Sequence, residues 1–205
     1  MARRRATSRG TKGYRQRAVD VREPKQRFLI VCEGQKTEPY YFQALRQDHR
    51  LNATVTVMGK GLDPSQLVET AQAERRLDDY DHVWCVFDRD TWPAQNFNNA
   101  LVQARRHGIG VAYSNEAFEL WYLLHFHYYD TAITRQQYIA LLDELLGHPY
   151  AKNSRDIYRE LRSRQEDALR NARKLLEQYD TPNPANDNPS TTVHLLVEEL
   201  LRHAR

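Results

Sequence analysis

The chain has 205 residues and a mass of 24.2 kDa, enough for one globular domain that buries a core without disulfide or metal staples. With 40% hydrophobic and 28% charged residues, a mean hydropathy of -0.80 and no long uncharged apolar run, the sequence excludes a helical membrane span. The net charge of +3 is uneven: residues 1–27 carry ten Lys/Arg against two acids, and the remaining 178 carry 20 basic and 25 acidic side chains.

The opening segment reads as a flexible basic arm, domain 1–27. Its Arg3, Arg4 and Arg5 are suited to sequence-independent attraction to a polyphosphate. A solvated tail is the plainer reading of the same residues. No apolar stretch follows residues 1–12, so no secretory signal is expected. Cys32 and Cys85 sit inside apolar runs and read as small buried side chains in a reducing compartment, the cytoplasm.

From Phe28 the pattern changes. FLIVC at 28–32 is too short and too apolar for a helix, and fits a strand covered on both faces. Pro39 suits the first turn of a helix running to about Asp48. A weaker strand at 53–58 precedes Gly59-Lys60-Gly61, and Asp63-Pro64-Ser65 opens a helix to about Leu77. HVWCVF at 82–87 is a third strand, stopped by Asp88-Arg89-Asp90. Trp92-Pro93 leads to a helix ending near His107, and 109–113 is a fourth strand. This alternation predicts an α/β fold, an open parallel sheet of about four strands flanked by helices, in a core spanning 28–126. Beyond Ala117 only helices are expected, at 117–126, 135–146, 154–178 with one break, and 191–203. They form a helical extension, 127–205, packed on the core.

In such sheets ligands bind beyond the carboxyl ends of the strands, where strand order reverses. Glu33 lies just past the first strand, and Asp88 and Asp90 just past the third. If those strands are neighbours, three anions share one crevice and repel unless a cation separates them. Mg2+ or Mn2+ suits oxygen ligands and phosphate. Taken singly, each piece is also what a solvated turn looks like.

Glu33-Gly34 after FLIVC and Asp88-Arg89-Asp90 after VWCVF resemble the Toprim domain. The longer strings IVCEGQKTEPYYF, VFDRD, YSNEAFELWYLLHF and NPSTTVHLLVEEL resemble the RloB-like family of Toprim-related bacterial proteins found near restriction and phage-defence loci. The resemblance implies that Glu33 acts as general acid/base or metal ligand and that Asp88 and Asp90 hold Mg2+. The expected activity is hydrolysis of DNA or RNA phosphodiesters, with a separately encoded ATPase as a possible partner. The alternatives are a non-catalytic nucleic-acid- or nucleotide-binding partner of a defence complex, and a phosphotransferase or nucleotide hydrolase. No topoisomerase tyrosine domain is present, and Gly34-Gln35-Lys36-Thr37 lacks phosphate-loop spacing.

Other candidates surround this set. Glu119 falls one turn into an apolar helix, where a bare carboxylate is costly without a metal, a metal-bound water or an Arg. Ser114, Asn115 and Glu116 read as helix-capping residues, as does Glu38 at the Pro39 helix. Lys36, Thr37 and Arg89 are candidate phosphate contacts. Lys152 and Arg155 either stabilise charge building on phosphorus or are simply solvated. His125 reads as a core residue, and Asn188-Pro189-Ser190-Thr191-Thr192 as a cap for the last helix or a phosphate seat.

Overall fold

The structure, a computed structural model, describes residues 26–57, 63–89 and 92–204. Asp90, Gly59-Lys60-Gly61 and the arginines of the basic arm at positions 3, 4 and 5 lie outside the described residues. Among the described residues no helix is long and apolar enough to cross a membrane.

The four expected strands form: β1 (Phe28–Cys32), β2 (Ala53–Val57), β3 (His82–Asp88) and β4 (Gly110–Asn115). They pair in parallel in the order β2-β1-β3-β4, so β1 and β3 are neighbours in the sheet, with Cys32 level with Val86. The chain leaves β1 for β2 on one side and returns to β3 on the other, which places the point of strand reversal between β1 and β3.

One expectation fails after residue 117. A fifth strand, β5 (Ser190–Thr191), pairs antiparallel with the end of β4. It is two residues long, below any periodicity signal, and side-chain bonds specify it. Thr191 Oγ1 donates to the Tyr113 carbonyl (2.9 Å), and Thr192 Oγ1 donates to that of Val111 (2.9 Å). The same threonines do part of the capping expected of them, because the Val193 N–H donates to Thr191 Oγ1 (3.2 Å). Ser114 and Asn115 instead finish β4. The Ser114 hydroxyl is bonded to that of Thr191, and the Asn115 amide donates to the carbonyl of Asp187.

Helices α1 (Thr37–Asp48), α2 (Pro64–Arg75) and α3 (Ala94–Arg106) connect the parallel strands. After β4 come α4 (Glu119–Leu123), α5 (Arg135–Leu146), α6 (Ile157–Leu161), α7 (Gln165–Glu177) and α8 (Val193–Arg202). A 3-10 turn at Arg162–Arg164 provides the break expected in the 154–178 stretch.

Strand alternation divides the core into two layers. Phe28, Ile30 and Cys32 face a large aromatic layer built with α1, α4 and the C-terminal helices, in which Tyr41, Trp121 and Tyr122 are fully buried. Leu29 and Val31 face a second layer with Leu67 and Val68 of α2 and Phe97 of α3. Both faces of β1 are therefore covered, which is why its sequence is apolar throughout. The end of the basic segment belongs to this body: the Arg27 N–H donates to Asp81 (2.7 Å), and its guanidinium pairs with Asp78.

Candidate functional site

The carboxyl ends of β1, β3 and β4 open onto an acidic crevice. The Glu33 N–H donates to the Val86 carbonyl (2.9 Å), extending the β1–β3 ladder one residue and fixing Glu33 beside β3. Trp92 Nε1 donates to Glu33 Oε1 (3.2 Å). Asp88, the last residue of β3, has its side chain 13% exposed. Glu119 opens α4, just past β4, and is buried.

Glu38 is the fourth member, and capping does not describe it. It lies in the first turn of α1, buried, with Oε2 fully enclosed and no hydrogen-bond partner among the described residues. The chain brings it there by the turn at Gly34, which passes so close that a methyl group on Gly34 would overlap the Glu38 carboxylate. Any larger residue at that position would have to move the Glu38 carboxylate.

The four carboxylates interact through a poorly hydrated interior. Burial, reinforced by the charges of Glu119 and Glu33, raises Glu38 from its ordinary value of 4.5 to about 7. Burial and the charges of Glu38 and Glu119 push Asp88 well above the carboxylate range, although Arg135 opposes the shift.

Arg135 and Lys152 bring positive charge to this group. Arg135 Nη2 lies 3.0 Å from Asp88 Oδ2, and Lys152 Nζ lies 3.7 Å from Glu119 Oε1. Arg135 is held at the first position of α5 by a capping box, in which Thr134 Oγ1 accepts from the Gln137 N–H and Gln137 Oε1 accepts from the Thr134 N–H. The loop before α6 reaches the same place, where the Tyr150 hydroxyl approaches Glu119 Oε1 (3.4 Å). Thr37 Oγ1 donates to the Lys152 carbonyl (3.3 Å), and the Tyr122 hydroxyl donates to the Thr37 carbonyl (3.2 Å), so α1, α4 and this loop are tied together at the rim.

Of the residues singled out in the sequence, Glu33, Asp88, Glu119 and Lys152 come together at this place, and Lys36, Arg89, Arg155 and His125 lie around it or elsewhere. Lys36 is exposed at the N-cap of α1. The Arg89 guanidinium donates to the carbonyls of Ala185 and Trp92 and lies over the Phe97 ring, on the face opposite α1. Alternation along β3 turns Arg89 away from the side Asp88 faces, and its guanidinium ties the Ala185 and Trp92 loops. Arg155 lies over the Tyr40 ring, 5.0 Å from its centroid. His125 is a buried core residue, as expected: its Nδ1 bonds the Trp121 carbonyl (2.9 Å), and burial lowers its pKa to about 4.

Sequence reasoning missed the roles of Glu38, Arg135 and Tyr150. A signal existed for Glu38, since Glu33-Gly34 and Glu38-Pro39 bracket one tight turn. Arg135 and Tyr150 come from distant segments with no local signature.

The donor set fits a hard divalent ion. Arg135 and Lys152 lie against Asp88 and Glu119, and the buried Glu38 Oε2 lacks a protein donor among the described residues. No three of these carboxylates bring ligand atoms within 4.8 Å of one another among the described residues. Mg2+ does not need such a cage, because it keeps several waters and takes one or two protein carboxylates.

Fold and site together describe an open α/β sheet with an acidic crevice at its point of strand reversal. A family model described as RloB-like protein matches residues 28–200, and the chain belongs to the RloB-like family. No curated protein and no solved structure matches it significantly.

Proposed function

We propose that the chain is a metal-dependent nuclease, hydrolysing phosphodiester bonds of DNA or RNA with Mg2+ or Mn2+ in the acidic crevice. The observation that carries this reading is the gathering of Glu33, Glu38, Asp88 and Glu119 beside the β1–β3 switch point, close enough that their charges act on one another. Folding alone does not favour such an arrangement, because each buried carboxylate raises the cost of the next. The Toprim resemblance of the Glu33 and Asp88 segments and RloB-like membership support the same reading, including a role in phage defence or restriction.

Asp88 and Glu33 would hold the ion, with Glu119 joining through water and Asp90 as the further ligand the motif implies. When bound, the ion supplies charge neutralisation at phosphate oxygens and a lowered pKa for its water. The protein's own groups do the rest. Glu33, oriented by Trp92, accepts the proton of the attacking water, and Glu38, titrating at about 7, takes up or releases a proton behind it. Lys152, half-exposed at the rim, pairs with Glu119 and is near enough to the opening to turn toward a phosphate. Exposed Lys36 and the arginines at positions 3, 4 and 5 supply backbone attraction, and an ATPase would be another polypeptide.

One observation favours a silent binding pocket instead: Arg135 and Lys152 already neutralise two of the carboxylates. Titration of Mg2+ and Mn2+ against single-stranded DNA, duplex DNA and RNA separates the readings. Metal-dependent cleavage by the wild type that Asp88→Asn abolishes without unfolding supports the nuclease. Metal-dependent retention of polynucleotide without turnover supports the binding module, and full activity of Asp88→Asn removes the assignment.

A further inference from the structure

A second cluster lies at the opposite end of the sheet. His82 opens β3 beside Phe28 at the start of β1, and the two rings stack with centroids 4.5 Å apart. The last turn of α8 brings Glu199 over this spot, and His203 follows one turn later, on the same face of the helix. Glu199 Oε1 stands 3.4 Å from His82 Nδ1 and 3.6 Å from His203 Nε2. One ligand atom from each of the three residues falls within 4.8 Å of the other two.

These separations exceed the usual N–H···O range of about 2.7–3.2 Å. They match the edge of a metal tetrahedron instead, since ligands about 2.0–2.1 Å from Zn2+ stand roughly 3.4 Å from one another. Arg202 pairs with Glu199 Oε2, which directs the other oxygen of that carboxylate to the two imidazoles. The side chains of His82, Glu199 and His203 are 26%, 16% and 33% exposed, open enough for an ion to enter and for water to complete its shell.

We propose that His82, Glu199 and His203 form a Zn2+ site that fastens the end of α8 to the start of β3. Two imidazoles and one carboxylate select a borderline transition ion over Mg2+ or Ca2+, which prefer all-oxygen shells. The site is separate from the acidic crevice: seven residues of β3 lie between His82 and Asp88 inclusive, roughly 20 Å of strand. It therefore stands whether or not the crevice cleaves phosphodiesters. Its effect is on cohesion, because α8 packs along β4 and its far end here gains a bond to the neighbouring strand.

The test uses the full chain without a histidine tag, stripped with chelator and titrated with Co2+ as the spectroscopic probe, followed by Zn2+ competition and thermal melting. The wild type should show one equivalent of tetrahedral Co2+ absorption that Zn2+ displaces, and Zn2+ should raise Tm. Glu199→Gln should weaken Co2+ by at least about tenfold, the His82→Ala/His203→Ala double variant should lose it, and Asp88→Asn should bind as the wild type does. Should the double variant fail to fold, His203→Gln alone carries the comparison, since that residue lies at the exposed end of α8. A wild type with no tetrahedral spectrum overturns the site, as does binding unchanged by the histidine substitutions or abolished by Asp88→Asn alone.

Discussion

Glu38 carries part of the cost of the crevice in a form that pH reads out. Its pKa is raised in the folded state from 4.5 to about 7, so its contribution to stability is present in full below about 4.5 and is lost as pH rises through about 7. In metal-free protein this term removes up to about 3 kcal/mol between those limits. Glu38→Gln should therefore flatten the fall in Tm across that window and stabilise the metal-free protein above pH 7. Melting curves at several pH values check this, and an unchanged slope would show that Glu38 is not the titrating group. Mg2+ should stabilise the wild type more above pH 7 than below it, because the ion competes with the proton. Gly34→Ala acts at the same residue, forcing the Glu38 carboxylate aside. We expect a loss of about 1–3 kcal/mol in chemical denaturation, together with weaker Mg2+ binding.

At the scale of elements, each site residue is a by-product of where a strand ends or a helix begins. Glu33 follows β1, Asp88 ends β3, Glu119 starts α4 and Arg135 starts α5. Capping therefore bears on chemistry. Thr134→Ala removes the α5 cap and should cost about 1 kcal/mol, and the loosened first turn should let Arg135 leave Asp88. Urea denaturation measures the first effect. The second would appear as a further rise in the pKa of Asp88 in NMR titration of its side chain, and an unmoved Asp88 would show that the cap does not position the arginine. This coupling also marks how far the sequence could be read. FLIVC and VWCVF declare buried parallel strands because both faces are covered, and the acids at their exits follow by position. Glu119 stood out as a charge in an apolar helix. Arg135 and Tyr150 carried no such sign, because their place depends on how α5 and the following loop pack. The two-residue β5 is specified by threonine bonds to β4 that no period reveals, and adjacency in sequence does not show that alternation after Asp88 turns Arg89 to the other layer.

For the whole molecule, basic and acidic charge are segregated. The body beyond residue 27 carries five more acids than bases, while residues 1–27 hold ten Lys/Arg against two acids. Arg27 is bonded to Asp78 and Asp81, so a deletion that spares the fold should stop at residue 25. Removing residues 1–25 should weaken binding to polynucleotides and make its logarithmic dependence on salt shallower, while leaving Tm and Mg2+ affinity of the crevice unchanged. Filter binding across a salt series reads the slope. An identical slope would assign polynucleotide attraction to the body alone.

The most direct measurement of the central claim is Mn2+ binding by electron paramagnetic resonance, comparing the wild type with the Glu33→Gln/Asp88→Asn double variant above pH 7. The account predicts saturable binding to the wild type and loss of that binding in the folded variant. Binding of equal strength to both proteins, or none to the wild type, would contradict it.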